Sequence, residues 1–426
     1  MRPINVSRVV LATLVSVLVF TGCSPTPTPS PTPAPALTTT PSQTLPAIEA
    51  SPTPAETVLR IWLPPQFDPT NGTPAGDLLQ ERLDLFAAAH PGLRIEVRVK
   101  ADSGPVGLLS TMQSASIAAP EALPDLVALP RRDMETAAAS NLIIPIDNTL
   151  SLTDAPDWFD YARQLGRIDQ FTYGLPFAGN ALVLVQHTFE GDAVSLTWEP
   201  FLDITSGYRL VFAAADPQAL VTLTLYQSAG GDVVNDIGRP ELDPAILERV
   251  LEFFQTGFVF QPSFSYQTDE QVWLAYRNRQ ASAAILWAST LLQQSPASML
   301  VQPLPGLDEG SYTLTRTWVW SILHNENENS RQALAAELVL FLTQGEFLAA
   351  WTAAAGYLPT RPSGLDAWPD ALAKVWIEET IRSSHPLPPD QVLDIIGPVL
   401  RDAVVHTLEG QKTPQEAALE AADSLR

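Results

Sequence analysis

Residues that could carry out catalysis do not combine into a recognised motif in this chain. Among 426 residues there are five His, and no two of them lie four residues apart on one helix with a Glu between them, as in zinc proteases. The G-x-S-x-G turn of serine hydrolases and glycine-rich phosphate-binding loops are absent from the sequence. One Cys excludes an internal disulfide, a Cys-based zinc site and an iron–sulfur cluster. The sequence therefore predicts that the protein is not an enzyme and uses neither a metal nor a cofactor.

Acidic residues leave one catalytic alternative open. The chain has 47 Asp and Glu against 24 Lys and Arg, a formal charge of -23. A glycosidase needs two carboxyl groups facing each other across a cleft, and the sequence alone does not exclude such a pair. A secreted carbohydrate-active enzyme is therefore one alternative hypothesis, and a structural or adhesive surface protein is another. The acidity argues against nucleic-acid binding, because contacts to phosphates need clustered Lys and Arg.

Tryptophans at the ends of predicted strands are candidates for ligand binding. Trp62 ends the first strand, Trp287 ends a later one, and Trp318 and Trp320 alternate along a third. Ligands of open α/β sheets bind beyond the carboxyl ends of the strands. An indole offers a flat apolar face and one N–H, which suits stacking on a sugar ring. We therefore predict that Trp62 and Trp287 line a cleft, with packing in the core as the alternative for each.

The elements that position these residues follow from hydrophobic periodicity, which begins at Thr57. Strands are predicted at 58–62, 94–99, 126–129, 142–147, 181–185, 209–213, 283–287 and 317–323. Helices are predicted at 76–90, 133–140, 217–228, 244–255, 269–279, 330–343, 345–354, 369–382, 390–409 and 414–425. Strands that alternate with helices indicate an α/β fold made of βαβ units with mostly parallel pairing.

The first 23 residues have the pattern of a lipoprotein signal peptide. Arg2 and Arg8 precede an apolar run at 9–20, which is too short to span a bilayer core of about 30 Å and is typical of a signal peptide. Gly22 and Cys23 follow at the point where a bacterial lipobox would be cleaved. We predict a signal peptide at 1–22 and lipidation of Cys23, with a chance cysteine as the alternative. Two or three acyl chains would hold the protein stably on the extracytoplasmic face of the cell membrane.

A proline-rich segment at 23–55 separates this anchor from the rest of the chain. Ten of the 39 Pro lie between Ser24 and Pro54, mostly among Ser, Thr and Ala. Such a composition cannot bury a core and favours polyproline II, which rises about 3.1 Å per residue and would extend to about 100 Å here. The segment is therefore predicted to be a spacer that holds a globular part away from the membrane.

Six runs of the sequence occur in the order known from one family of transport receptors. They are Leu85–Phe86 with His90–Val97, Leu123–Val127, Thr172–Phe177 with Ala181–Leu184, Ala229–Gly231, Gly356–Arg361 and Gly410–Leu419. From about residue 56 to 426 the chain resembles family 1 of the extracellular solute-binding proteins, the maltose- and glycerol-phosphate-type receptors of ABC importers.

The resemblance implies a two-lobed periplasmic-binding-protein fold of type II, with a ligand cleft between the lobes and a hinge of two or three crossing segments. Lobe one is expected at 56–178 plus 288–342, and lobe two at 180–286 plus 343–426. The implied function is to deliver a small solute, a sugar or a polyol, to the permease subunits of an ABC importer. The receptor is expected to be a monomer that contacts the membrane only through its lipid anchor.

The resemblance also places ligand contacts at matching positions of this sequence. Beside Trp62, which the strand pattern selects, the implied ligand-binding residues are Gln66, Arg132, Asn180, Gly231, Asp232 and Trp287. Leu129 stands where maltose receptors have a Trp, and no aromatic residue lies near 395–397, where those receptors have another. A full aromatic stack for a malto-oligosaccharide is therefore not expected, and a smaller sugar, a polyol or another small polar solute remains possible.

Overall fold

The computed structural model describes residues 57–147, 157–187, 197–199, 209–256, 261–294, 299–308, 310–325 and 329–426. The predicted signal peptide at 1–22, the candidate lipidation residue Cys23 and the spacer at 23–55 lie outside the described residues.

A mixed sheet forms the centre of the described part. Its order is β2-β1-β3-β10-β6-β8-β7, with β11 paired to β10 and β9 paired to β6, while β4 and β5 form a separate pair. The strands are β1 (Thr57–Leu63), β2 (Leu93–Val99), β3 (Leu126–Pro130), β4 (Arg167–Ile168), β5 (Phe171–Thr172), β6 (Leu175–His187), β7 (Leu210–Val211), β8 (Ala283–Trp287), β9 (Met299–Pro303), β10 (Thr313–Ile322) and β11 (Ser384–Pro386).

Helices cover both faces of this sheet. In chain order they are α1 (Pro74–Ala89), α2 (Leu108–Ala118), α3 (Arg131–Ala139), α4 (Asp160–Leu165), α5 (Leu220–Ser228), α6 (Pro244–Thr256), α7 (Asp269–Arg277), α8 (Ala288–Leu292), α9 (Asn329–Leu342), α10 (Gly345–Ala355), α11 (Pro362–Asp366), α12 (Ala371–Arg382), α13 (Asp390–Leu408) and α14 (Pro414–Asp423). The alternation of strands and helices confirms the predicted α/β class.

Two long strands join the two halves of the sheet. β1 pairs in parallel with β2 and β3 in one half, and β7 pairs in parallel with β8 in the other. Between them, β10 runs antiparallel to β3 and β6, so the pairing is less parallel than predicted. The first part of β6 pairs with β10 and its last part pairs with β8 and β9, so this one strand belongs to both halves.

Two local features of the structure differ from the prediction. The run 142–147 forms only a single bridge, between Ile143 and Leu323, because Pro145 has no N–H to donate to a strand ladder. The helix α2 was not predicted, because only Leu108 and Met112 are buried and the apolar period is weak. Near the lobe boundary expected after residue 342, α10 lies against α1.

Buried side chains form three hydrophobic clusters around the sheet. One, the β8-side cluster, joins α5, α6, α13 and α14 to β8. A second, the α2–α3 cluster, packs those helices on one face of β1 and β3. The third and largest covers the opposite face of β1 and continues along β6. Because β1 has helices on both faces, Ile61 and Trp62 are both buried although they point in opposite directions.

Among the described residues, no single helix is long and apolar enough to cross a membrane. Helices α9 and α10 reach that length and composition only as a pair, and the pair is bent by 72°.

Candidate ligand-binding cavity

A cavity of about 740 Å³ lies where β6 and β10 pass between the two halves of the sheet. This volume falls in the range of small-molecule sites. The lining residues come from both halves and are Gln66, Asp102, Pro130, Arg131, Arg132, Leu165, Asn180, Asp216, Pro217, Gln218, Glu270, Ser289, Arg316, Thr317, Trp318, Tyr357, Leu387, Pro388, Asp390 and Leu393.

Several of these residues follow directly on the carboxyl end of a parallel strand. Gln66 lies in the turn after β1, Arg131 and Arg132 begin α3 immediately after β3, and Ser289 follows β8 in α8. Asp216 follows β7 after a short connection. The cavity therefore occupies the position that strand topology predicts for a ligand in an open α/β sheet.

An aromatic wall forms one side of the cavity. Trp318 on β10 and Tyr357, next to the C-terminus of α10, both border the cavity. The Phe67 ring contacts each of them edge-on, at 5.1 Å and 5.7 Å between ring centroids. Gly356, with a φ of 73°, ends α10 in the left-handed conformation that a glycine adopts without strain. Leu358 then pairs with Gly179 on β6, which places Tyr357 beside the crossing strand.

Trp318 and Trp320 have different environments although both lie on one face of β10. Trp320 is 3% exposed and stacks on Phe177 at 4.6 Å, within the core. Trp318 is only partly buried and faces the cavity. Between the two, the register of β6 against β10 shifts at Pro176 and Ala178. The sequence indicated that the two tryptophans share a face, but only the structure separates their roles.

Arg316 forms the floor of the cavity. Its guanidinium lies over the indole of Trp287, 3.9 Å from the ring centroid, and the side chain is exposed to the cavity. It makes no hydrogen bond and no ion pair to any residue within the described ranges. Burial lowers the pKa of Arg316, and the nearby charge of Asp269 and, more weakly, of Asp216 acts in the opposite direction.

The two acids near Arg316 are held by the backbone. Asp216 accepts hydrogen bonds from the N–H groups of Gln218 and Leu220 at the start of α5, both at 3.1 Å. Asp269 accepts from the N–H of Trp287 at 2.8 Å and from the hydroxyl of Thr290 at 2.9 Å. Burial raises the pKa of both carboxyl groups, and these hydrogen bonds act against that rise.

Polar contacts across the mouth of the cavity join elements of different clusters. Arg131 on α3 binds Glu135 at 2.5 Å and donates to backbone carbonyls that include that of Leu165. Glu135 also accepts from the backbone N–H of Asp390, at the start of α13. A second link is the exposed ion pair of Arg132 with Asp394, at 2.9 Å. Since α3 packs in the α2–α3 cluster and α13 in the β8-side cluster, these contacts connect the two sides of the cavity.

Three of the predicted site residues lie together at this cavity: Gln66, Arg132 and Asn180. Asn180 is largely engaged within the protein. Its carbonyl oxygen accepts from the N–H groups of Ala181 and Ser289, and its amide donates to the Ser289 hydroxyl at 2.8 Å. Asn180 therefore ties β6 to α8 and keeps one amide N–H for a ligand.

The two tryptophans predicted to line a cleft do not line the cavity. Trp62 is 2% exposed in the α2–α3 cluster, because β1 is covered on both faces. Trp287 is 8% exposed, and Arg316 covers the ring face that a ligand would need for stacking. Trp287 thus supports the cavity from behind its floor.

The glycine pair and the acid after it lie away from the cavity. Gly231 and Asp232 follow the C-terminal end of α5, while the cavity borders its N-terminal end, about 13 Å away at 1.5 Å per residue. A Cβ on Gly231 would lie 2.4 Å from the Tyr226 ring, so this glycine allows close packing. The backbone oxygen of Asp232 accepts from the Tyr226 hydroxyl at 3.0 Å.

Residues that sequence reasoning did not select for the site are Asp216, Arg316 and Tyr357. Arg316 carried a signal that could have been used, since it is the one charged residue in the otherwise neutral strand Thr313–Ile322. Tyr357 lies in one of the runs that carried the family resemblance. Within the described ranges, no group of three His, Cys, Asp or Glu side chains is placed to hold a metal ion.

Comparison with known structures agrees with this architecture. The chain is similar to the maltose-bound MalE3 protein of T. maritima, with a TM-score of 0.65 and 17% identity over 86% of this chain and 98% of that chain. It is similar to the cyclic alpha-maltosyl-1,6-maltose binding protein of Arthrobacter globiformis, with a TM-score of 0.69 and 14% identity over 87% and 98% of the two chains. A solute-binding protein of Agrobacterium radiobacter K84 in complex with ribitol matches with a TM-score of 0.62 and 19% identity over 87% and 98%.

These likenesses confirm the predicted two-lobed periplasmic-binding-protein fold. No curated protein sequence matches the chain. The family model for bacterial extracellular solute-binding proteins matches residues 81–376, which is more than half of the chain. The chain therefore belongs to the bacterial extracellular solute-binding protein family.

Proposed function

We propose that the protein is an extracytoplasmic receptor that binds a sugar or a polyol and delivers it to the permease subunits of an ABC importer. The observation that carries this proposal is the cavity between the two halves of the sheet. It combines the aromatic wall of Trp318 and Tyr357 with the donor group of Arg316, a pairing that suits a ring or chain bearing hydroxyl groups. Two proteins of similar fold have solved structures with a ligand, one with maltose and one with ribitol.

The ligand is a small one. A single aromatic wall lies at the cavity, and the positions that would extend an aromatic stack are Leu129, which is buried in the core, and Ile395, which is exposed on α13. A mono- or disaccharide or a polyol fits this arrangement better than a long oligosaccharide.

Ligand binding is coupled to closure of the two lobes. β6 and β10 cross between the halves and would act as the hinge, with lobe one at 56–178 plus 288–342 and lobe two at 180–286 plus 343–426. A ligand that contacts both sides binds the closed form more tightly and shifts the equilibrium towards it. Because family members are binding proteins of transporters, the role proposed here is binding and not catalysis.

The proposal includes the cellular location. Lipidation at Cys23 and the spacer at 23–55 would hold a monomeric receptor on the extracytoplasmic face of the cell membrane, within reach of the permease. Metabolic labelling with a fatty acid, compared between the natural chain and Cys23→Ser, tests this part separately.

Thermal unfolding of the full chain in detergent tests solute binding. A solute that binds only the folded state stabilises it by about 2.7 kcal/mol at a concentration 100 times its Kd. We expect at least one neutral sugar or polyol from a panel that includes maltose and ribitol to raise the melting temperature. Trp318→Ala should abolish that rise, whereas Asp232→Asn, away from the cavity, should keep it.

Two results would contradict this function. One is the absence of stabilisation across sugars, polyols, polyamines and osmolytes. The other is release of reducing ends from a glycoside by the purified protein, which would favour the carbohydrate-active enzyme instead.

A further inference from the structure

We infer that Arg316 binds the ligand directly, and that it does so through hydroxyl oxygens of a neutral sugar or polyol and not through a carboxylate or phosphate. This inference rests on the proposed function and adds to it the anchoring residue and the charge class of the ligand.

The first argument is that the donors of Arg316 have no acceptor in the protein. A guanidinium has five N–H donors, and the exposed side chain of Arg316 directs them into the cavity. Arg316 has no hydrogen-bond or ion-pair partner in the described part of the chain. By contrast, Arg131 is bound by Glu135 and Arg132 by Asp394 at the same cavity. These donors are therefore available to a ligand that displaces solvent from the cavity.

The second argument is that the guanidinium has an aromatic support. Its Cζ atom lies 3.9 Å from the centroid of the Trp287 ring, and the Trp287 backbone N–H is bound by Asp269. On β10, Arg316 pairs with Asn180 on β6, so it lies on the strands that cross between the halves. A donor group held in this way loses little conformational entropy when it binds a ligand.

The third argument concerns charge. Asp216 and Asp269 lie close enough to act on Arg316 electrostatically, and together they outnumber its single positive charge. The cavity lining as a whole has four acids, Asp102, Asp216, Glu270 and Asp390, against three arginines. An anionic ligand group placed on Arg316 would meet this negative surrounding, whereas hydroxyl oxygens accept its hydrogen bonds without adding charge.

Binding measurements on Arg316→Met and Arg316→Lys test the inference with the full chain in detergent. The probes are maltose, ribitol and the wider neutral panel, together with glucuronate and glycerol 3-phosphate as anionic counterparts. We expect that a neutral probe which binds the natural chain loses about 100-fold in affinity with Arg316→Met and about 10-fold with Arg316→Lys, because Lys lacks the planar fork. Arg249→Met serves as the matched control, since Arg249 pairs with Asp308 away from the cavity.

Each outcome has a distinct meaning. A neutral probe that binds the natural chain and the Arg316→Met variant with equal affinity would overturn the role of Arg316 and leave the proposed function standing. Binding of the anionic probes alone would overturn the charge class. Failure of every probe to bind the natural chain would contradict the proposed function itself. The Arg316→Met variant should remain folded without solute, because the Arg316 side chain is exposed and its guanidinium has no hydrogen-bond or ion-pair partner in the described residues.

Discussion

The mouth and the floor of the cavity both contain arginine, but they use it differently. At the mouth, Arg131 binds Glu135 on α3 and Arg132 binds Asp394 on α13. Both charges are therefore paired within the protein, at the place where its two sides meet. On the floor, Arg316 has an aromatic support and nearby acids but no direct partner in the described ranges. Under the function proposed above, the mouth arginines connect the two sides of the cavity, and Arg316 is the arginine that contacts the ligand. Three substitutions test this contrast.

Loss of the aromatic support should have the largest effect on stability. Trp287→Ala removes a side chain that is 8% exposed, and a buried Trp replaced by Ala costs about 3–5 kcal/mol of unfolding free energy. Because Arg316 then loses its platform, affinity for a neutral probe should fall as well. Urea unfolding and titration of the probe measure the two effects. Trp273→Ala, at a half-buried position on α7, is the control, and a cost for Trp287→Ala no larger than for this control would contradict the prediction.

Loss of a mouth arginine should have the next largest effect. Arg131→Met leaves Glu135 and several backbone carbonyls without their donor in a site where both side chains are less than one-fifth exposed. We expect a loss of about 2–4 kcal/mol of unfolding free energy, below that of a fully buried pair. The same exchange at Arg316 should cost much less, because that side chain is exposed and no hydrogen-bond partner in the described residues is left behind. Similar losses from Arg131→Met and Arg316→Met would remove the distinction between mouth and floor.

The smallest effect should be a pH-dependent one at the mouth. Burial, and next the neighbouring Glu135, raise the pKa of Asp390 to about 6. Since the folded pKa lies above the unfolded value of about 3.9, stability falls as the pH rises from about 4 to 6, and the loss is complete above 6. Asp390→Asn should therefore raise the unfolding free energy by about 1 kcal/mol at pH 7, after allowance for solvent screening, and leave it unchanged near pH 4.

Melting temperatures of the natural chain and Asp390→Asn from pH 4 to 7.5 measure this difference. Asp402→Asn, at an exposed surface pair, should run parallel to the natural chain over the same range. If the melting temperatures of Asp390→Asn and the natural chain differ by the same amount at every pH, the substitution acts through packing and not through titration.

Local pattern predicted most elements of the fold. The alternating run of β2 and the capped helix α14 are visible in the sequence because their periodicity and end signals involve neighbouring residues. The misses have local causes as well, such as Pro145 within a strand-like run and the weak apolar period of α2. Neither miss changes the fold class, because the central strands carry strong apolar runs.

The site was predicted less completely because cavity residues are defined by contacts between distant segments. Gln66, Arg132 and Asn180, which line the cavity, were selected through the family resemblance and not through a local pattern. Trp62 and Trp287 were predicted to line a cleft because each ends a strand. The position of a residue along a strand does not reveal whether helices cover that face of the sheet. Gly231 and Asp232 were inferred from a matching run, whose distance from the cavity depends on the direction of α5.

The sequence alone indicated most of the helices and strands, the prediction of a proline-rich spacer and the family resemblance, because these are properties of composition and local order. Only the tertiary structure decided which arginine is free to bind. Arg131 and Arg316 are chemically identical, and they differ because α3 brings Glu135 to one while β10 places the other over Trp287, facing open space. That difference arises from strand pairing across the whole chain, which no local pattern records.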